Sequence, residues 1–323
     1  MNSSLNRLIG LLIAIATLTG CPKEDPTDDT PTVGHDVELW RYVPFSTENR
    51  LATLPGNASI QILDNLPRLD GATALYPVYA SFVQATYPST LNYSDWGQGV
   101  LKMTTTPRAF ANLINGDVDI IFTAPPSQNQ ILTATEKGKT FHSTPIGKDA
   151  FVFFVNKNNP VNSLTIEQIQ GIYSGAITNW SEVGGNNIEI IAYQRPPDSG
   201  SQTALEFIMG ELPIMDLPIE SRGSSMTGIF EQVIAYRNHN NAIGFSFLFF
   251  TTEMVRSNEI KLLSIEGVAP TKETIKSGQY QFSDPFYAIT TGNETENMIK
   301  LIEWILSDEG QYLIEKTGYV PIK

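Results

Sequence analysis

Arg195 is separated by Pro196, Pro197 and Asp198 from Ser199-Gly200-Ser201, and a helical pattern with Ala204, Leu205, Phe207 and Ile208 as its apolar positions follows. A guanidinium can grip a tetrahedral oxyanion through two parallel hydrogen bonds, two hydroxyls can donate to it, and a glycine lets the backbone approach closely. The competing reading is a surface arginine beside a Ser-capped helix. Two other stretches repeat the chemistry. Gly71-Ala72-Thr73-Ala74 lies at a strand-to-helix junction, where free backbone N–H groups and a hydroxyl meet. In "MTTTPRAFANLINGDVDIIF", Thr106 is placed as N-cap and Pro107 at the first helical position, with Phe110, Leu113 and Ile114 toward the core. As a cap alone Thr106 needs no ligand.

Three Thr- or Ser-rich helix starts converging on one cleft could hold an anion with neutral donors and a single cation. The chain is acidic, with a formal charge of −13 that becomes about −14 once residues 1–20, with Arg7 and no acidic group, are set aside. Carboxylates farther away than roughly 8–10 Å are screened in salt water, so the local dipoles decide. There is no basic cluster, which argues against nucleic acid and acidic membrane surfaces as partners.

The elements that position these groups read as α/β. The 323 residues, 41% hydrophobic and 17% charged, can bury a core in two lobes of ordinary size. Strands are expected at Ser59–Leu63, Val118–Phe122, Ala150–Asn156, Ile188–Ala192 and Ala242–Phe247, alternating with amphipathic stretches, a pattern of substantially parallel sheets. Thr165 and Gln168 form a capping-box pattern ahead of Ile166, Ile169, Ile172 and Tyr173, with Gly175 as the stop. Near the end, Met298, Ile299, Ile302 and Ile305 mark one helix face, and Tyr312, Leu313 and Ile314 a second helix closed by Gly318.

The N-terminus carries a processing signal. Arg7 precedes the apolar run Leu8 to Leu18, which is too short to span a bilayer comfortably. Leu18-Thr19-Gly20-Cys21 resembles a bacterial lipoprotein signal, with cleavage before Cys21 and a lipid on its thiol; the other reading is a plain secretory signal. Cys21 is the only cysteine, so disulfides within the chain are excluded. "PKEDPTDDTPT" has nothing apolar to bury and reads as an extended tether.

Taken together, "ATALYPVYASF", "INGDVDIIFTAPPS", "LTIEQIQGIYSGAITNWSEVGG", "RPPDSGSQTALEF", "NAIGFSF", "PTKETIKSGQY" and "WILSDEGQYLIEKTGYVP", in that order, resemble the phosphate-binding protein of the high-affinity phosphate ABC transporter. That family is a class II periplasmic-type binding protein, and the similarity runs from about Leu66 to the C-terminus. The resemblance implies a two-lobed fold, each lobe a mostly parallel sheet flanked by helices, closing like a hinge over a dehydrated oxyanion. It divides the chain into a lipoprotein signal peptide at 1–20, an acidic tether at 21–36, the first part of lobe 1 at 37–147, lobe 2 at 148–265, and a crossover with return to lobe 1 at 266–323. It places ligand contacts on Thr73 with the N–H of Ala74, on Thr106, and on Arg195 with Ser199, Gly200 and Ser201. The implied partners are inorganic phosphate or a similar oxyanion, ABC permease subunits, and the membrane through a lipid on Cys21, for a monomer on the extracytoplasmic face with no cofactor and no metal. A lipid-anchored surface protein that senses, scavenges or adheres without a transporter is the alternative, with residues 37–65 as extra surface structure.

One family element is missing. The aspartate that accepts the phosphate proton falls on Ala124 in "DIIFTAPP". A buried carboxylate rewards protonated phosphate and repels sulfate, so its loss predicts weaker discrimination unless Asp198 or Asp70 substitutes. His35, His142 and His239 are scattered without metal-ligand spacing. Trp40, Trp96, Trp180 and Trp304 read as core or lobe-interface packing, Asp117 and Asp119 as solvated positions, and Ser225 and Thr227 as a possible cleft rim. Neither serine of the Ser-Gly-Ser lies in G-x-S-x-G, and no P-loop is present, so the reading is a binding protein and not an enzyme.

Overall fold

The computed structural model describes residues 37–216 and 240–323. The signal segment 1–20, Cys21, the tether 21–36, His35, Ser225, Thr227 and His239 lie outside the described residues. In chain order β1 (Leu69–Gly71) leads through a tight turn at Thr73–Leu75 into α1 (Tyr76–Thr86), followed by α2 (Thr106–Asn115), β2 (Ile120–Thr123) and α3 (Gln128–Glu136). Next come β3 (His142–Asn156), β4 (Ser163–Leu164), α4 (Ile166–Ser174), β5 (Ile191–Ala192) and α5 (Gly200–Met209). After the second break stand β6 (Ala242–Phe247), β7 (Ile260–Leu262), β8 (Ser264–Ile265), β9 (Ser283–Thr290), the helices Glu296–Ile305 and Asp308–Thr317, and β10 (Val320–Pro321).

The long strand β3 organises the sheet. Its first half pairs antiparallel with β9, from His142 opposite Thr290 to Ala150 opposite Ser283, and β10 pairs antiparallel with it at Gly147 and Lys148. Its second half pairs antiparallel with β6, Phe151 opposite Phe247, and with β7, Phe154 opposite Leu262. Beyond β9 lie β2 and β1; beyond β6 lies β5. One strand thus runs from one half of the sheet into the other. The two-lobed α/β class expected from the sequence is the class the chain adopts, and its sheet is mixed. Parallel pairing occurs at β1–β2 and β5–β6, where α2 and α5 lie on the crossovers, and at the separate β4–β8 pair.

Several elements differ from the sequence reading. Ser59–Leu63 is a loop whose Ile62 N–H donates to Thr86 O at 2.8 Å, and Leu63 is exposed. The strand before the first junction is Leu69–Gly71 instead, where Gly71 is required: a Cβ there would stand 2.5 Å from Phe122 O of the paired strand. The ladder at 188–192 shrinks to Ile191–Ala192, opposite Ala242 and Ile243. β9 is absent from the sequence reading because Pro285 interrupts its pattern, and a proline argues against an interior strand. On the helix Glu296–Ile305 the buried face is Met298, Leu301, Trp304 and Ile305, leaving Ile299 exposed.

Other expectations hold. Thr165 and Gln168 cap α4 reciprocally, Thr165 Oγ1 accepting from Gln168 N at 3.1 Å and Gln168 Oε1 from Thr165 N at 2.9 Å, and Gly175 ends the helix with φ of 79°. Gly318 follows the helix Asp308–Thr317. Trp180 and Trp304 are buried, and Trp96 donates to Tyr76 OH. Trp40 is exposed, with Arg41 over its ring, rather than core. Asp119 is not simply solvated: it accepts from the Arg68 backbone and guanidinium, fixing the approach to β1.

Candidate functional site

The loop after β5 is built to hold one arginine. Tyr193 N–H donates to Ile243 O, after which Pro196 and Pro197 stiffen the turn and Asp198 adopts a left-handed φ of 64°. Ser199, in extended conformation, N-caps α5 by accepting from Gln202 N at 3.4 Å, while Gln202 Oε1 accepts from Arg195 N at 2.8 Å. Gln202 therefore closes the loop over the arginine. The sequence reading did not single it out.

Arg195 is only 9% exposed, and its Nε and Nη1 have no hydrogen-bond partner among the described residues. Burial pushes its pKa down to about 10, which still leaves a cation at neutral pH. Buried guanidinium nitrogens without partners are costly, which makes Arg195 a candidate to receive an anion. The hydroxyls of Ser201 and Thr203, in the first turn of α5, are likewise buried and without partners. Thr203 was missed by the sequence reading. Its spacing of two after Ser201 in the same first turn was the available signal.

α2 begins one residue earlier than expected. Thr105, at φ of 76°, is the N-cap residue, and Thr106 is the first residue of the helix. Thr106 is buried beside the first residue of α5: a Cβ added to Gly200 would sit 3.2 Å from Thr106 Oγ1 and 3.7 Å from Ala124 Cβ. Glycine at 200 is thus what lets the starts of α2 and α5 and the end of β2 meet. Thr106, Ala124 and Gly200, three distant points in the sequence, share one locality.

Thr73 lies in the turn before α1, half-buried, with its hydroxyl donating to Met103 Sδ at 3.4 Å. Neither candidate for the missing carboxylate is idle. Asp70 is fully buried and accepts from Gly71 N, Thr104 N, Thr104 Oγ1 and Asn112 Nδ2, all at 2.9 Å or less. Desolvation raises its pKa in spite of those donors. Asp198 accepts from Ser127 Oγ at 2.5 Å and Asn129 Nδ2 at 2.8 Å, while its carbonyl accepts from Gln130 Nε2 at 3.1 Å. Asp70 is a structural hub, and Asp198 ties the loop before α5 to the start of α3.

A cavity of about 530 Å³ opens beside these residues, with Ala74, Thr106, Ala124 and Gly200 on its wall. Thr73, Arg195, Ser199 and Ser201 are not on that wall.

A PBP superfamily domain matches residues 60–309. The chain belongs to the PBP superfamily. This is a family of binding proteins and not of enzymes. The chain is 22% identical over 271 residues to the phosphate-binding protein PstS of Borreliella burgdorferi, covering 83% of this chain and 94% of that one. It is 27% identical over 222 residues to PstS of Staphylococcus epidermidis, covering 67% of each. Among solved structures, a Clostridium perfringens protein with bound phosphate, described as a phosphate ABC transporter substrate-binding protein, superposes with a TM-score of 0.61 at 24% identity, over 80% of this chain and 99% of that one. An ABC-type phosphate transport receptor from Vibrio cholerae superposes with a TM-score of 0.58 at 22% identity, over 79% and 99%. These likenesses agree with the two-lobed α/β fold. The PBP domain starts at residue 60, so Val37–Ser59 precede it, and Ser59 is tied to its far end through two hydrogen bonds to Glu309.

Proposed function

We propose that this chain captures an inorganic oxyanion, phosphate above all, for an ABC importer by closing two lobes around it. The observation that carries the proposal is Arg195: a buried guanidinium with Nε and Nη1 free of partners among the described residues, in the loop leading to a helix whose Ser201 and Thr203 hydroxyls are likewise unengaged. A dehydrated tetrahedral anion supplies what each of these donors lacks, and the helix dipole adds to the attraction. The contacts assigned to it are the guanidinium of Arg195, the hydroxyls of Ser199 and Ser201, the backbone of Gly200, Thr106 from the facing α2, and Thr73 with the N–H of Ala74. The naming of relatives as phosphate-binding proteins supports phosphate as the anion.

In this reading lobe 1 comprises residues 37–147 and the return at 266–323, and lobe 2 comprises 148–265. β3 and β9 are the strands on which the lobes bend. Thr73 turns from its weak bond with Met103 Sδ to the ligand when the anion is bound. Residues 1–20 are a lipoprotein signal, Cys21 carries the lipid, and residues 21–36 hold a monomer off the extracytoplasmic membrane face near its permease. Calorimetric titration with phosphate, sulfate, arsenate and nitrate tests the ligand. Saturable one-to-one binding of the tetrahedral anions supports the proposal, and failure of all four to bind contradicts it.

A further inference from the structure

A second cavity, of about 360 Å³, gathers positive charge in an acidic chain. Tyr42 and Arg50 reach it from the extension that precedes the PBP domain, Glu253 and Arg256 from a π-helical turn at Phe250–Val255 and the residue after it, and Tyr312 and Lys316 from the helix Asp308–Thr317. None of the residues assigned to the phosphate lines it. Three cations and one carboxylate thus face a single concavity in a chain of formal charge −13. No basic run in the sequence announces this, because the three cations meet only once the extension packs back. Tyr42 and Leu51 bury their side chains there, and Gln84 Oε1 of α1 accepts from Phe45 N at 3.0 Å and from Asn49 Nδ2 at 2.7 Å.

The carboxylate on the wall is already used: Glu253 Oε2 accepts from Arg256 Nη2 at 3.1 Å. Arg50 and Lys316 have no carboxylate partner among the described residues, and Lys316 lies over the Tyr312 ring. Arg41 borders an adjoining cavity and is held by Glu38. Burial raises the Tyr42 pKa while the charges of Arg256 and Arg50 oppose the rise, so both guanidiniums stand near one hydroxyl. Arg256 also keeps a left-handed φ of 54°, and such conformations and π-helical turns collect at functional sites. A concavity lined by one sign of charge focuses the field on whatever enters it.

Size and layout narrow the class of ligand. A five-atom anion takes the room of about three waters, roughly 90 Å³, whereas this cavity lies within the roughly 300–1,000 Å³ range of pockets for organic molecules. Leu51, Pro77 and Phe249 supply apolar wall between the polar groups. Arg50 offers a planar fork and Lys316 a point charge, on separate elements, which suits an anion whose charge is divided among several groups. We propose that this cavity is a second ligand site, for a compact organic polycarboxylate. Arg50 and Lys316 take its carboxylates, and its carbon skeleton lies against Leu51, Pro77 and Phe249.

Calorimetric titration of citrate into the full chain, with inorganic phosphate in excess, tests this. Saturable one-to-one binding of citrate is expected. Arg50→Ala, at an exposed position, should weaken it roughly 10–100-fold, the cost of losing a hydrogen bond to a charged group, and Lys316→Ala should weaken it as well. Both variants should keep the parent's thermal melt and phosphate affinity, and Arg195→Ala should leave citrate binding unchanged. Absence of citrate binding, binding abolished by Arg195→Ala, or binding that neither Arg50→Ala nor Lys316→Ala weakens overturns the inference. Each of those results leaves the proposed capture of an inorganic oxyanion to be decided by its own titration.

Discussion

Asp198 and Ser127, 71 positions apart, share a 2.5 Å hydrogen bond that joins the loop before α5 to the cap of α3. Asn129 and Gln130 add two further bonds to the same residue, one to its carboxylate and one to its carbonyl. In the two-lobe reading these bonds span the cleft and hold it shut. Asp198→Ala is therefore expected to weaken phosphate binding roughly 5–20-fold, the lower part of the range of a typical coupling free energy. The radius of gyration of the ligand-free protein, measured by small-angle scattering, should rise. Unchanged affinity and unchanged dimensions would show that the contact holds nothing closed.

Asp70 has the opposite character. Its buried carboxylate satisfies four donors around the β1–α2 junction. Asp70→Ala leaves those donors unpaired and is expected to lower stability by roughly 2–4 kcal/mol in urea unfolding. A loss below about 0.5 kcal/mol, the size of an ordinary surface substitution, would remove Asp70 from its place as a hub.

Asp149 gives the fold a pH dependence. Burial pushes its pKa up to about 7 from the usual carboxylate range; the N–H groups of Ala150 and Phe249 oppose the rise, as does the charge of Lys272. Asp284 stands across the strand pair, also with a raised pKa. A raised carboxyl pKa means that the folded state holds the proton more tightly than the unfolded chain. This group's contribution therefore falls as pH rises from about 4 to about 7 and is level above that. Asp149→Asn should flatten that part of the stability profile, read from thermal melts between pH 4.5 and 8. A variant with the same slope as the parent would assign the effect elsewhere.

The site was legible in the sequence where local chemistry was enough. Ser199-Gly200-Ser201 before an amphipathic run announces a helix start, and Arg195 lies close enough along the chain to share it. The capping box at Thr165 and the glycine stops were equally readable, because each involves residues within one turn. What escaped depends on partners distant in sequence. Phe207 fits a helical pattern yet lies against a cavity, since periodicity shows that a face is apolar but not what covers it. Asp198 and Asp70 look like spare carboxylates until Ser127, Asn129, Thr104 and Asn112 are folded against them. Pro285 hid β9, which nonetheless pairs on both sides.

Ala124 sets an expectation for anion choice. It lies 3.7 Å from the position of a Cβ on Gly200, and in the proposed reading its methyl group stands where the family resemblance puts the carboxylate that accepts the phosphate proton. Sulfate should accordingly compete with phosphate for the parent protein. Ala124→Asp should cut sulfate affinity by tenfold or more, about 1.4 kcal/mol or more of added repulsion. Competition followed by tryptophan fluorescence measures this, and a parent protein indifferent to sulfate would contradict it.

The most direct measurement is the titration of phosphate into the parent and into Arg195→Ala by calorimetry, with circular dichroism on both. In the proposed function Arg195, buried and with Nε and Nη1 lacking partners among the described residues, is the cation that holds the anion. The account predicts saturable binding by the parent, loss of detectable binding in the variant, and superimposable spectra. Full affinity in the variant would contradict it.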